Sequence, residues 1–118
     1  TKDIYLNADE FKIEEVVTNY ISNAIHHVKD SGEIRINISD HENIIGFSVY
    51  NTGNPIPEKD INNVWEKFFK LDKAHSRAYG GSGIGLSIVK AIVEAHNGSV
   101  AVRNILEGVE FSFNIPKA

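Results

Sequence analysis

Residues 10–28 constrain this chain more than any other stretch. On a helical wheel of ~100° per residue, Ile13, Val16, Val17, Tyr20, Ile21, Ala24, Ile25 and Val28 share one arc. Glu15, Asn19, Ser22, Asn23, His26 and His27 fall on the other. The apolar arc demands a surface to pack on. The polar arc is nearly free of full charges, whereas a solvated helix face favours Lys and Glu. Asn7, Asp9 and Glu10 supply helix-start residues, because short polar side chains accept bonds from first-turn amides. Ile4-Tyr5-Leu6 just before them is a short strand candidate.

The remaining chain offers strands to receive that helix. Asp30-Ser31-Gly32 is a turn. Residues 33–39 alternate, with Ile34, Ile36 and Ile38 on one side, which predicts a half-buried strand. Residues 44–50 form the second arm of a hairpin, and the Asn-, Gly- and Pro-rich residues 51–57 a loop. Residues 58–69 have helical spacing at Ile61, Val64, Trp65 and Phe68. Residues 71–82 have little apolar patterning and end in glycines, so they read as a mobile loop. A strongly amphipathic helix is predicted over 83–96, stopped at Asn97-Gly98 because glycine takes a left-handed cap cheaply. Residues 99–103 and 110–115 close the chain as two antiparallel strands. Helices on one face of a mostly antiparallel sheet make a two-layer α/β sandwich.

Composition removes several kinds of chemistry. The 118 residues, 42% hydrophobic and 24% charged, are ordinary for one globular domain. A net charge of −4 gives no general footprint for nucleic acid. With no cysteine there is no disulfide, thiolate zinc site or cysteine nucleophile. No apolar run approaches ~18 residues, so no membrane span is expected, nor is a signal peptide. A chain that starts at Thr1 and has no methionine reads as a piece of a longer protein.

Three segments could carry chemistry. Asn19 and Asn23 stand one turn apart on one helix face. A carboxamide oxygen suits Mg²⁺, which keeps water and substrate phosphates as its other ligands; an exposed polar helix face accounts for the pair equally simply. Gly80-Gly81-Ser82-Gly83-Ile84-Gly85-Leu86 lies where a loop becomes a helix, so its backbone and the helix N-terminus could receive phosphate. A flexible hinge would look the same. No Lys-Ser or Lys-Thr follows it, and the spacing is not that of a dinucleotide fingerprint. Asn51-Thr52-Gly53-Asn54-Pro55-Ile56-Pro57 leaves a strand sharply; Asn51 could accept from an exocyclic amine such as adenine's, or the segment could be a plain turn. The five histidines show no zinc-site spacing, and Ser82 has no evident triad.

Taken in order, Asn19-x-x-x-Asn23-Ala24, Asn51-Thr52-Gly53, Trp65-Glu66-Lys67-Phe68-Phe69 and Gly81-Ser82-Gly83-Ile84-Gly85-Leu86 closely resemble the N box, first glycine box, F box and second glycine box of the ATP-binding catalytic domain of sensor histidine kinases. The resemblance runs from about Ile4 to Pro116. It implies the Bergerat fold: a mixed, mostly antiparallel sheet under three helices, with ATP between helices and a mobile lid. It implies that Asn23 ligates Mg²⁺ with Asn19 on its phosphate side. His26 stands at a position often basic, and His27 where an aromatic ring often lies by the adenine. Gly53 lets the loop approach the base, and Ile56 walls the pocket. Phe68 and Phe69 anchor the lid, with Lys70 and Arg77 as its basic residues. Gly81, Ser82, Gly83 and Gly85 bend around the phosphates, and Leu86 starts the helix behind them. Three departures stand out: Asn51 replaces the usual Asp, Pro55 replaces a frequent Gly, and His26 is a weaker phosphate clamp than Lys.

The function implied is the Mg-ATP-binding half of a protein-histidine kinase in a two-component system. It would donate the γ-phosphate to a histidine on a dimerisation and phosphoacceptor domain of the same protein, with a response regulator downstream. The domain itself would be cytoplasmic and touch neither membrane nor nucleic acid, while the parent protein would be membrane-anchored. Glu15, one turn before Asn19, is the only base or orienter on that face. Hydrolases and serine kinases of the superfamily resemble Glu-x-x-x-Asn in the N box, and Asn19 stands where that Glu would be. A degenerate module that docks partners is the alternative from another class.

Overall fold

The computed structural model describes residues 8–66 and 85–117. The first helix, α1, spans Glu10–His27. The Asp9 carboxylate accepts from the Lys12 amide at 3.1 Å and thereby caps it, worth ~1 kcal/mol for such a cap. Strands β1 (Ile34–Asp40) and β2 (Ile44–Thr52) follow, then helix α2 (Gly85–Ala95) and strands β3 (Ser99–Ile105) and β4 (Gly108–Pro116). The sheet order is β1-β2-β4-β3, and all three pairings are antiparallel. α1 lies against β2 and beside α2, which covers β3 and β4. This is the predicted two-layer α/β architecture. Two of the three expected helices form among the described residues; the strand candidate at residues 4–6 and the expected lid of residues 71–82 fall outside them.

The core is a single cluster. Val16, Tyr20 and Ala24 of α1 and Val89, Ile92 and Val93 of α2 meet Phe47, Val49, Val109, Phe111, Phe113 and Ile115 of the sheet. Aromatic rings fill its centre: Tyr20 packs 5.7 Å from Phe111, and Trp65 meets Phe111 edge-on. Burial pushes the Tyr20 phenol well above its usual pKa, and its hydroxyl donates to the Ser112 carbonyl at 2.8 Å.

Several elements depart from the sequence reading. Residues 58–66 are successive turns rather than the start of a helix. Their backbone bonds reach back three residues, from Asp60 to Pro57, Asn63 to Asp60 and Glu66 to Asn63. Asp60, Asn62 and Asn63 are short polar residues that favour local bonds over a helix, and the Asn63 side chain bonds the Lys59 carbonyl. Val64 is nonetheless buried and Trp65 packs on the core, because helical and turn spacings both return residues 61, 64 and 65 to one side. β2 runs on through Asn51 and Thr52, which were read as loop. Ile25 is 58% exposed, because it lies ~140° around the wheel from Tyr20, beyond the buried row. Ile36 and Ile38 pair with Val49 and Phe47 on the helix-facing side, yet both are more than half exposed, on a strand that stands at one end of the order among the described residues. At the end of α2, Asn97 takes the left-handed conformation with φ 64°. Gly98 is needed for space instead, since a Cβ there would stand 2.9 Å from Val93.

Candidate functional site

The polar arc of α1 is shielded rather than solvated. Asn19, Ser22 and Asn23 are all half-buried, while Glu15 and His26 are exposed at its rim. Asn19 donates its Nδ2 to the Glu15 carbonyl at 2.8 Å, which turns its Oδ1 outward. At Gly85, the first residue of α2, a Cβ would lie 2.8 Å from that Oδ1. The N box and the end of the second glycine box therefore lie against each other. Leu86, one position on, packs against the core and anchors this helix start. His27 lies seven residues beyond Tyr20, so it extends the buried row instead of the polar arc to which the wheel assigned it. Its Nε2 is out of solvent. Burial, and then the neighbouring His26, lower its pKa and favour the neutral ring.

The end of β2 meets the end of α1. Asn51 is 2% exposed, the most buried polar side chain of the described residues, and its Nδ2 donates to the Thr52 carbonyl at 3.2 Å. That bond uses one of its two N–H donors and orients the carboxamide. Gly53 follows, and a Cβ on it would come within 2.6 Å of the His27 carbonyl oxygen. Thr52 stitches the surroundings together: its carbonyl accepts from Lys29, its amide donates to the Glu33 carbonyl, and its hydroxyl accepts from the Glu33 amide. Beyond Gly53 the chain folds back so that Ile56 is 5% exposed.

Two contributors were not anticipated. Thr52 was read as part of a loop. Asn104 on β3 binds both backbone groups of Ile56, each at 2.8 Å. The signal for Asn104 was present in the alternation of Val100, Val102 and Asn104, where a carboxamide replaces the third apolar residue of a core-facing row.

The structure thus brings together Asn19 with Gly85, and His27 with Asn51 and Gly53, along one side of α1. Ile56 and Leu86 support the two ends of this surface from the core. Lys70, Arg77, Gly81, Ser82 and Gly83, and Phe68 and Phe69 of the F box, lie outside the described residues. The described part offers neutral carboxamides and close-approach glycines. No group of three or more His, Asp or Glu side chains that could hold a metal ion occurs among the described residues. Such a surface fits a hard cation that arrives with most of its ligands already supplied by phosphate and water.

A family model described as "Histidine kinase-, DNA gyrase B-, and HSP90-like ATPase" matches residues 8–118. The chain is 36% identical over 118 residues to the sensor histidine kinase WalK of Bacillus subtilis, covering 98% of this chain and 19% of WalK. It is 32% identical to the probable sensor kinase SilS of Salmonella typhimurium, covering 95% of this chain and 22% of SilS. The chain therefore spans about a fifth of the length of these curated relatives. Among solved structures, the nucleotide-free catalytic domain of histidine kinase ThkA matches with a TM-score of 0.86 and 35% identity, over 99% of this chain and 74% of that one. Full-length ShkA in complex with AMPPNP matches with a TM-score of 0.81 and 29% identity, over 94% of this chain and 22% of that one. The chain belongs to the family of histidine kinase-, DNA gyrase B- and HSP90-like ATPases. Within it, the chain is homologous to the ATP-binding catalytic domains of sensor histidine kinases.

Proposed function

We propose that this domain holds Mg-ATP along the polar side of α1 and presents the γ-phosphoryl group to a histidine on a dimerisation domain of the same protein. The contact between Asn19 and Gly85 carries the reading, because it sets the carboxamide row of α1 against the helix start where phosphates are received. Asn23 would hold Mg²⁺ through its side-chain oxygen, and the ion would neutralise phosphate charge. Asn51 is oriented by its Nδ2 bond to the Thr52 carbonyl, and its Oδ1, the acceptor of the carboxamide, would receive the adenine amine. His27 and Gly53 would border the base, and Ile56 would wall the pocket. Gly81, Ser82, Gly83 and Gly85 would wrap the phosphates, with His26, Lys70 and Arg77 adding positive charge.

The reaction would be in-line attack of an imidazole nitrogen on the γ-phosphorus, forming the N–P bond as the bridging O–P bond breaks and ADP leaves. A neutral imidazole already has a lone pair, so the domain mainly positions and neutralises. Glu15 is exposed and needs only to orient. Asn19 cannot serve as a base at neutral pH, which argues against water activation or a serine acceptor. ThkA has been crystallised with the response regulator TrrA, and that structure matches this chain at 33% identity; a response regulator is the proposed downstream partner here. No described helix is long and apolar enough to cross a membrane. We place the domain on the cytoplasmic side of a membrane-anchored parent.

With labelled ATP, the isolated domain should acquire no stable label. Mixed with its parent dimerisation hairpin, it should place acid-labile, alkali-stable label on a histidine there. Acid-stable label on serine would overturn the assignment.

A further inference from the structure

We infer that Asn104 is a positioning residue for the nucleotide, acting through Ile56; the inference rests on the proposed ATP site. Paired strand backbone ends at Thr52 on β2 and at Ile105 on β3. The segment after Gly53 therefore leaves the sheet without a strand to bond. Asn104 takes over that role. Its Oδ1 accepts from the Ile56 amide and its Nδ2 donates to the Ile56 carbonyl, both at 2.8 Å across 48 residues of sequence. A carboxamide has the donor and acceptor of a peptide group, so one side chain mimics one rung of a β ladder.

The position of that rung decides what it does. Asn104 pairs with Val109, and Val109, like Phe111 and Phe113 along the same strand, points into the core under the helices. The Ile56 backbone is therefore drawn over the helix-facing side of the sheet, and its side chain is packed into the core. Gly53, at the other end of the same short segment, is seated against the last turn of α1. The segment is pinned at both ends, by steric fit at Gly53 and by two hydrogen bonds at Ile56. Asn104 itself need not touch the nucleotide. Cutting its bonds would let residues 54–57 sample other conformations, and the free site would be competent for only part of the time, which weakens apparent affinity by that fraction.

The test uses the 118-residue domain and Mg-ATP, titrated by calorimetry well below the melting temperature of every variant. Asn104→Ala should raise Kd about tenfold, the equivalent of one to two lost hydrogen bonds, and should speed amide exchange at Ile56. Asn104→Asp keeps an acceptor for the Ile56 amide and loses the donor to its carbonyl, so it should weaken binding as well, and it serves as the measurement if the alanine variant is unfolded. Val100→Ala, at the far end of β3, also lowers stability but should leave Kd unchanged. That comparison separates positioning from general loosening. Wild-type affinity in both folded Asn104 variants would overturn the positioning role alone. A wild-type domain that binds no Mg-ATP would overturn the proposed site and this inference with it.

Discussion

The two ends of α1 are fastened in different ways. At its start, the Asp9 amide donates to Nε2 of His96 at 3.1 Å, and Nδ1 of the same ring lies 2.9 Å from the Ile92 carbonyl. An Nε2 that accepts leaves the proton on Nδ1, so one imidazole ties the first helix to the last turn of the second by directional bonds. At its far end, α1 is held by fit. The His27 carbonyl lies where a Cβ on Gly53 would go, and the Lys29 amide donates to the Thr52 carbonyl just beyond. The start is a joint between the two helices, ten residues before Asn19 along the chain. The far end is where helix, strand and loop converge on the proposed base pocket. Between them Asn19 stands against the first residue of α2. The difference predicts that damage at the start lowers stability alone, whereas damage at the far end lowers binding as well.

The largest effect is expected from Gly53→Ala. The added methyl would meet backbone, the His27 carbonyl oxygen at 2.6 Å, as well as the Asn51 carboxamide nitrogen at 3.2 Å. Backbone cannot swing aside as a side-chain tip can, so the segment must shift. Overpacking of this kind costs about 1–3 kcal/mol, and Mg-ATP affinity measured by titration should fall at least about tenfold. Retention of both stability and affinity would break the claim that this end is a close-fitted site.

Asn23→Ala comes next, in the stretch between the two ends. Asn23 is half-buried on the shielded arc. Its removal should leave the melting temperature nearly unchanged and cut Mg²⁺-dependent ATP affinity about tenfold, as expected for losing a ligand or charge-assisted bond. Titrations with and without Mg²⁺ check this; an equal loss in both would reassign Asn23 from the metal to the nucleotide.

His96→Ala addresses the other end. It deletes the bond that joins the start of α1 to the end of α2, and the local bond to Ile92 that orients the ring, and should cost about 1–2 kcal/mol by chemical denaturation. Mg-ATP affinity of the folded variant should not change. A loss of affinity there would mean that the two ends act as one unit.

What could be read from the chain alone follows from the range of the interaction involved. Periodic patterns reported local geometry, and so the apolar row of α1, the amphipathic α2 and the alternation of β1 all appear where expected. They do not report what lies opposite. Ile36 and Ile38 face the correct side of the sheet and are still exposed, because what covers a strand face is set by long-range packing that periodicity does not encode. Residues 58–66 show the converse: helical spacing survives at Val64 and Trp65 while Asp and Asn side chains favour a chain of turns. At the site, motif order indicated Asn19, Asn51, Gly53 and Gly85, each of which now has a contact that explains its residue type. Asn104 and the His96 joint were missed because each bonds across more than forty residues, and no motif links such partners.

The smallest effect sharpens the comparison through pH. Burial, followed by the proximity of His26, lowers the pKa of His27 from the ordinary 6.5 in the folded domain. Above about pH 7.5 the ring is neutral whether the chain is folded or not, so it adds no pH dependence there. As pH falls through the unfolded value, the unfolded chain takes up a proton that the folded chain resists. The unfolded state then binds more protons, and stability must drop with pH until the folded value is passed. The useful quantity is a difference between two chains. The melting temperature of the wild type should decline more steeply between pH 7 and 5 than that of His27→Phe, which keeps a ring at the end of the buried row but has no proton to gain. Parallel curves would show that His27 is protonated as easily inside the domain as outside it, and that the far end of α1 is open to water rather than closed over by β2 and Gly53.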